Sequence, residues 1–298
     1  MSQPAHLGGS AKSSTHLPAV RRTVPTIPGL SRAARPRTSA RVPELFDMSA
    51  RALRRDRAVR KGPELFLHDR AFEDCLERIA LMQRPFQRAL LIGCPDARWP
   101  ERLEAFAGEV DVRDPGPLFA TRANGETLVE DCWLPPEASY ALVVAIGTLD
   151  TVNDLPLALR LIGHAMRPDG LLIGAASGGD TVPQLRNAMR AADAASGAAT
   201  PHVHPRIEAA ALAPLLGEAG FVNPVVDVDR VPVSYRSFER LIDDLRSMAA
   251  TNVLTARPRF IGKTARSAAA AAFNAVGDGT RTVETFEILH FAAWTRQE

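Results

Sequence analysis

Two histidines, His202 and His204, stand one residue apart in the segment PHVHP. In an extended segment alternate side chains point to the same side, where two imidazoles could bind a metal ion or move protons. Zinc sites in proteins use three or four protein ligands, and no third ligand is identifiable in the sequence. We therefore predict no metal site, and proton transfer remains a candidate role for these histidines.

Asp180, Tyr235 and Asp244 are candidate pocket residues. Asp180 follows two glycines and an apolar run, so it could cap a helix that begins at Thr181 or line a ligand site where parallel strands end. Tyr235 is one of only two tyrosines, and packing in the core is its default role. Asp243 and Asp244 are adjacent on a predicted helix and point different ways, which argues against a paired-carboxylate mechanism. No residue is assigned a catalytic role.

The stretch LLIGCPDAR, residues 90–98, resembles a strand that runs into a turn. Glycines in such a turn let the backbone approach a nucleotide-type cofactor and adopt positive φ, close to the N-terminus of the next helix. Gly93 suits this role. Pro95 does not, because proline fixes φ at about −65° and lacks an N–H. The stretch is either the remnant of a cofactor loop or a buried strand that ends in a proline turn.

Strands and helices alternate along most of the chain. The predicted strands are 88–93, 109–114, 126–131, 140–149, 171–176, 225–233 and 282–294. Predicted helices lie before Gly62, around Phe72 to Ile79, and over 100–108, 153–166, 181–195, 207–221, 237–250 and 266–275. This alternation predicts right-handed crossovers and a parallel doubly wound sheet, with the late strands returning as an antiparallel edge pair.

Charge is unevenly distributed along the chain. The first 43 residues contain seven Lys/Arg residues and no Asp or Glu, whereas the remainder is mildly acidic. The net charge of +2 therefore does not indicate a nucleic-acid-binding face. The Ser-, Pro- and Arg-rich composition of 1–43 predicts a disordered basic extension, either a solvated bacterial one or a mitochondrial transit peptide.

Two further features bear on the cellular location. No apolar run approaches the roughly 18 residues that a membrane span requires, so we predict no transmembrane segment. The three cysteines share no CxxC spacing, which favours a reducing compartment over a disulfide framework.

Cationic side chains crowd the helix that ends at Gly62. They are Arg51, Arg54, Arg55, Arg57, Arg60 and Lys61. Such a face is either solvated or a docking surface for an acidic partner.

Three strings resemble the complex I assembly methyltransferase-like proteins: TVNDLPLALRLIGHAMRPDGLLIGAASGGDTVPQLR, TPHVHPRI and LIDDLRSMAATN. That family is related to the malonyl carrier-protein methyltransferases of biotin synthesis and to class I S-adenosylmethionine (SAM)-dependent methyltransferases. VNDLP with RPDG is shared widely, whereas GGDT, PH-x-x-P and DDL-x-x-M-x-x-x-N point to the assembly-factor branch. His202 and Asp244 lie within these strings, so the resemblance implies a substrate-pocket role for His202, the better candidate of the two histidines, and a position at the cleft for Asp244.

The resemblance runs from about Leu45 to Trp294 and implies the Rossmann-like class I methyltransferase fold. That fold has a seven-stranded sheet, mostly parallel with an antiparallel edge strand, plus helical insertions. It implies a single domain over 44–298. N-terminal helices would occupy 44–87, a cofactor-type core 88–180, and helical insertions and edge strands 181–298.

The resemblance also implies positions for SAM contacts around the loop D-x-G-x-G-x-G. Gly93 matches the first glycine, with Cys94 beside it. Leu91 occupies the acidic position, while Pro95 and Ala97 replace the other glycines. These replacements put SAM binding in doubt.

Other implied SAM contacts come from later strands. Asp114, at the end of the second strand, matches the acid that takes the ribose hydroxyls, with Asp111 as the other choice. Glu130 and Asp131 match the acid near the adenine, and Ile146 completes the predicted set. Further positions depart from the family: Asp150 and Thr151 replace an aromatic or His-Trp-like pair.

Two functions remain open. The first is a SAM-dependent, methyltransferase-like enzyme that modifies a protein side chain; methyl transfer needs mainly in-line proximity, so a general base is not required. The second is a non-catalytic assembly factor that kept the fold and lost SAM binding.

Mitochondrial members of the family support complex I assembly, and an arginine hydroxylation has been assigned to them in place of methyl transfer. The resemblance implies a protein partner, either a complex I subunit or an assembly intermediate. We predict a bacterial cytoplasmic location, with the mitochondrial matrix as the alternative.

Overall fold

The computed structural model describes residues 44–197, 199–258 and 260–297, so the predicted extension over 1–43 lies outside the described residues. Seven strands form one sheet in the order β3-β2-β1-β4-β5-β7-β6. They are β1 Phe86–Ile92, β2 Ala107–Asp114, β3 Glu126–Thr127, β4 Tyr140–Ile146, β5 Met166–Ser177, β6 Val222–Tyr235 and β7 Thr282–Trp294. The first five strands are parallel, and β7 runs antiparallel between β5 and β6. The predicted fold class is confirmed.

Helices cover both faces of the sheet. They are α1 Met48–Lys61, α2 Phe66–Leu81, α3 Trp99–Leu103, α4 Pro117–Arg122, α5 Leu155–Ala165, α6 Pro183–Ser196, α7 Ala209–Glu218, α8 Phe238–Ser247 and α9 Lys263–Ala275. Among these described helices, none is long and apolar enough to cross a bilayer.

Alternate residues of β1 enter different halves of the core. Leu91 belongs to the cluster that includes residues of α2, α6, α8 and α9, whereas Leu90 and Ile92 pack with residues of α5 and α7. All three side chains are fully buried. Leu91 is therefore a core residue, which accounts for an apolar side chain where the related methyltransferases carry an acid.

Several local predictions were wrong. Gly108 lies within β2 and does not end a helix, since α3 already stops at Leu103. The third strand is only two residues long, and helix α4 was not predicted. The RPDG segment, residues 167–170, falls between the predicted helix 153–166 and the predicted strand 171–176. It lies instead inside β5, where Asp169 adopts φ 55° beside a register shift between β4 and β5.

Asp180 does not cap α6. The helix begins later, at Pro183, and Glu284 of β7 supplies the capping carboxylate. Glu284 accepts hydrogen bonds from backbone N–H groups of the first turn, including Leu185 N at 2.8 Å. A carboxylate at this end of a helix satisfies free donors and complements the helix dipole. A distant residue in the sequence therefore takes the capping role predicted for Asp180.

Candidate cofactor and ligand site

The loop that follows β1 lies between the ends of β2 and β4. Gly93 has a φ of 81°, and its N–H donates to Arg113 O at 2.8 Å. A Cβ at Gly93 would lie 2.2 Å from Ile146 O and 2.6 Å from Thr148 Cγ2. Glycine is therefore required here by packing against the end of β4. The loop lies at the carboxyl edge of the sheet, where open α/β sheets bind ligands.

Asp114, the last residue of β2, is the predicted ribose-binding acid. Its side chain is fully buried. Oδ1 accepts hydrogen bonds from Arg55 Nε at 2.7 Å and Gly116 N at 2.6 Å. Oδ2 accepts from Arg55 Nη2 at 2.5 Å and Cys94 N at 2.8 Å. Because a carboxylate offers about four lone-pair sites, its acceptor capacity is taken up by internal partners.

Asp111 was the other choice for the ribose. Its Oδ2 accepts a hydrogen bond from the Tyr140 hydroxyl at 2.7 Å, and it pairs with Arg88 at 2.9 Å. Asp111 therefore belongs to a separate polar cluster, on the middle of β2.

Glu130 is held by a second arginine. Arg51 Nη1 donates to Oε2 at 2.7 Å, and Arg51 Nη2 donates to Oε1 at 2.8 Å. Arg51 Nη2 also donates to Thr148 O at 2.6 Å. Both side chains are buried. Bidentate, charge-assisted pairs of this kind are among the stronger hydrogen bonds in proteins.

Both arginines come from α1. Arg51 and Arg55 are four residues apart and therefore lie on the same face of the helix. Asp47 caps the helix, accepting from Ala50 N at 2.9 Å, and the Arg55 guanidinium lies 5.1 Å from the centroid of the Phe119 ring. The hypothesis of a solvated or docking face is wrong for Arg51 and Arg55, because their side chains reach buried carboxylates at the sheet edge.

The residues at this edge do not fit SAM. Asp114 and Glu130, the first choices for the ribose and adenine contacts, bind guanidinium groups, and such bonds are stronger than those to neutral hydroxyl groups. The loop amides of Gly93 and Cys94 donate within the fold, and Pro95 has no N–H. Releasing either acid would leave a buried arginine without its partner, which is costly.

The remaining predicted cofactor residues have different environments. Asp131 is buried, and its Oδ2 accepts from Asp154 N at 3.0 Å, just before α5. Cys94 is buried beside Asp114, and burial raises the pKa of its thiol. Ile146 lies at the end of β4 and lines a cavity. The structure thus brings Gly93, Cys94 and Asp114 together, whereas the Asp131 carboxylate bonds to backbone before α5.

A cavity of about 520 Å³ lies beside α1, at the carboxyl ends of β4 and β5. We term it the central cavity. Asp150 and Arg206 form an ion pair in its wall, and each side chain is only 7% exposed. Burial lowers the pKa of Arg206 to about 10. Most of the other wall residues from α6, α8 and β7 are apolar, so the cavity is mainly hydrophobic.

His202 and His204 bond to different elements, although both line the central cavity. His202 Nε2 lies 2.8 Å from Asp193 Oδ1, whereas His204 Nε2 accepts from Val253 N at 2.9 Å. Within the described ranges, no group of three or more His, Cys, Asp or Glu side chains could hold a metal ion.

The other pocket candidates lie apart from His202. The Asp180 side chain is 69% exposed, and its Oδ2 lies 3.3 Å from Arg230 Nη2. Tyr235 and Asp244 do not line the central cavity. Tyr235 is buried, and burial together with the neighbouring Asp244 raises the pKa of its hydroxyl. The structure therefore brings only His202 of the four candidates to this cavity.

Sequence reasoning missed Arg51 and Arg55 as partners of the predicted acids, and Arg206 as the partner of Asp150. The available signal was the i, i+4 spacing of Arg51 and Arg55. That spacing places two cations on one face, but it does not name the carboxylates they bind.

We expect His204 to make stability depend on pH. Burial, aided by the charge of Arg51, lowers its pKa to about 4, against about 6.5 in the unfolded chain. The unfolded chain therefore binds the proton more readily than the folded chain. As the pH falls from 6.5 towards 4, the free energy of unfolding should decrease by up to roughly 3 kcal/mol. In urea titrations at pH 7 and 4.5, His204→Gln should lose less stability on acidification than the wild type. Equal losses would contradict this account.

The sheet topology and the loop at its carboxyl edge define a class I methyltransferase-fold protein. Consistent with this, the methyltransferase domain family matches residues 65–224. The crystal structure of the YcgJ protein from Bacillus subtilis has a similar fold, with a TM-score of 0.53 and 10% sequence identity, covering 76% of this chain and 100% of that chain.

Among characterised proteins, the mitochondrial arginine-hydroxylase NDUFAF5 of Rattus norvegicus is 32% identical over 274 residues, covering 86% of this chain and 79% of the relative. The Homo sapiens protein of the same name is 31% identical over 281 residues, with 88% and 80% coverage. A malonyl-[acyl-carrier protein] O-methyltransferase of Laribacter hongkongensis is 31% identical over 163 residues, about half of each chain. The chain belongs to the NDUFAF5 family, as its sequence motifs predicted.

Proposed function

We propose that this protein is a complex I assembly factor that acts by binding a protein partner and does not use SAM. Membership of the NDUFAF5 family supports the assembly role. The partner would be a complex I subunit or an assembly intermediate. The methyltransferase fold then serves as a scaffold, since a fold does not by itself determine function.

One observation carries this proposal. Asp114 and Glu130, two of the acids that the resemblance matches to SAM contacts, are fully buried and hydrogen-bonded to Arg55 and Arg51. The replacement of loop glycines, visible in the sequence as Pro95, supports the same conclusion. Together they favour the non-catalytic alternative over a SAM-dependent transferase.

The second candidate is an enzyme that modifies a protein side chain. The central cavity favours it, because about 520 Å³ lies within the range of ligand pockets. The NDUFAF5 relatives are named arginine-hydroxylases. His202, which lines the cavity, is the predicted pocket residue in this case.

For the cellular location we keep both predictions as proposals. The bacterial cytoplasm agrees with the reducing compartment that the cysteines indicate. The mitochondrial matrix agrees with the location in the names of the NDUFAF5 relatives.

We expect no binding when the purified full chain is titrated with SAM up to millimolar concentration. A ligand at 100 times its dissociation constant stabilises the folded state by about 2.7 kcal/mol, so calorimetry and thermal unfolding would both detect it. A SAM-binding methyltransferase of the same fold is the positive control. Stabilisation of that size would contradict the loss of SAM binding and favour the second candidate.

The assembly role is tested separately, by deleting the gene for this protein in its host. Complex I level and NADH dehydrogenase activity should fall and be restored by the wild-type gene. They should also be restored by a variant carrying Pro95→Gly and Ala97→Gly, because the proposal gives the loop no role in SAM use. Normal complex I after deletion would overturn the assembly role without affecting the SAM result.

A further inference from the structure

The central cavity combines apolar walls with a cationic mouth. Its walls include Leu185 and Met189 of α6, Phe238 and Leu245 of α8, and Phe286 of β7. Covering such a surface with an apolar ligand is favourable, because it removes apolar area from water. Phe260 and Ile261 continue the apolar lining to the surface, where they are 79% and 40% exposed. The cavity is therefore suited to an apolar body that extends outwards.

Three arginines line the same cavity from α1 and the end of α8. They are Arg54, Arg57 and Arg246, and together they form the cationic mouth. Most other cavity arginines have carboxylate partners: Arg51 and Arg55 bind Glu130 and Asp114, Arg206 pairs with Asp150, and Arg257 pairs with Asp47 at 2.9 Å. Across the part of the chain that the structure describes, Arg54, Arg57 and Arg246 have no ion pair.

The environment of Arg54 shows that this positive charge is uncompensated. Its Nε is buried and, within the described residues, has no hydrogen-bond partner. Burial lowers the pKa of its guanidinium, and the charges of Arg57, Arg257 and Arg246 lower it further. The carboxylates that line the cavity, Asp150 and Glu287, pair with other arginines. A buried donor among like charges is costly to leave unsatisfied.

We propose that the central cavity binds an anionic amphiphile, a molecule with an apolar body and a terminal carboxylate or phosphate. The apolar body packs between α6, α8 and β7, and the anionic head accepts hydrogen bonds from Arg54, Arg57 and Arg246. Guanidinium groups suit both heads, because they donate in a planar fork. This inference goes beyond the proposed function, since it requires neither a partner nor complex I.

Charge excludes two other occupants of the mouth. Residues 1–43 of this chain carry seven Lys/Arg residues and no Asp or Glu, so the arginines would repel them. A cationic ligand is disfavoured for the same reason.

The test uses the full chain and displacement of the fluorescent anion anilinonaphthalene sulfonate. Dodecanoate and dodecyl phosphate, below their micelle concentrations, should displace it with one site per chain. Dodecanol and dodecyltrimethylammonium share the apolar chain but lack the anionic head, and they should bind at least tenfold more weakly. A preference between the two anions identifies the head group. Equal binding of the neutral or cationic compound would overturn the proposal.

Charge-neutralising variants locate the site. Combining Arg54→Gln, Arg57→Gln and Arg246→Gln should weaken dodecanoate binding at least tenfold. The matched control neutralises three exposed arginines elsewhere, with Arg122→Gln, Arg281→Gln and Arg296→Gln, and should bind like the wild type. Thermal unfolding checks that both variants fold, and because the first variant removes like-charge repulsion we expect it to remain folded. Unchanged binding in the first variant would overturn the proposal.

A cavity-filling variant tests the apolar part independently. Ala250 lines the central cavity, and Ala250→Trp should reduce dodecanoate affinity at least tenfold.

Phosphatidylglycerol vesicles distinguish a membrane-surface source of the same chemistry. Binding to vesicles without binding to monomeric dodecanoate would contradict a cavity site.

Discussion

Replacing Asp114 with alanine is expected to lower the free energy of unfolding by about 3–5 kcal/mol, because the change leaves Arg55 buried without its carboxylate. Asp114 is fully buried, and Arg55 donates to both of its oxygens. The backbone N–H groups of Cys94 and Gly116 lose an acceptor as well, and each adds a cost because buried donors need partners. Urea denaturation monitored by circular dichroism would measure the loss.

Two further variants decide whether charge pairing is the cause. The control Glu73→Ala removes a partner from Arg102 in an ion pair whose side chains are 41% and 48% exposed, so it should cost only about 0–1 kcal/mol. Adding Arg55→Met to Asp114→Ala removes the unpaired cation, and the double variant should recover part of the loss. Additive losses from the two substitutions would contradict the pairing account, since coupled residues are not additive.

The expected loss of stability at Asp114 bears on the question of SAM binding. The carboxylate that would hold the ribose of SAM is, in this protein, a structural partner of α1. Asp114 cannot serve both roles at once, since its oxygens already accept four hydrogen bonds. Destabilisation on its removal would support the proposed scaffold, in which α1 takes the place that the resemblance assigned to a cofactor.

The second large effect concerns Gly93. We expect Gly93→Ala to lower the free energy of unfolding by about 2–5 kcal/mol. Positive φ costs a residue with a Cβ about 1–2 kcal/mol, and overpacking adds about 1–3 kcal/mol. The clash is with backbone, since the new Cβ would lie 2.2 Å from Ile146 O. Thermal and urea unfolding of the purified variant would measure it.

Gly197→Ala is the matched control. Gly197 also has positive φ, 64°, but a Cβ there would meet nothing within 4 Å. Its substitution should cost only the backbone part, about 1–2 kcal/mol. If Gly93→Ala cost no more than Gly197→Ala, packing against β4 would not be the reason for glycine in this loop.

The architecture could be predicted from the sequence because its signals are local. Strands such as β4, buried on both faces, appear as continuous apolar runs, and family motifs lie in single stretches of chain. The altered loop was visible for the same reason, since Pro95 and Leu91 depart from the pattern at known positions. The weakest predictions fell at the sheet edge, where β3 has only two residues and little burial defines it.

The occupation of the site, in contrast, depends on contacts between distant parts of the chain. Arg51 lies 79 residues before Glu130, and Arg55 lies 59 residues before Asp114. Glu284 caps a helix that begins about a hundred residues earlier. A charged residue carries no local sign of burial, and its partner is selected only when α1 packs against the completed sheet edge. For that reason the composition of α1 suggested a solvated or docking face, whereas the tertiary structure places two of its arginines on acids that the resemblance matched to cofactor contacts.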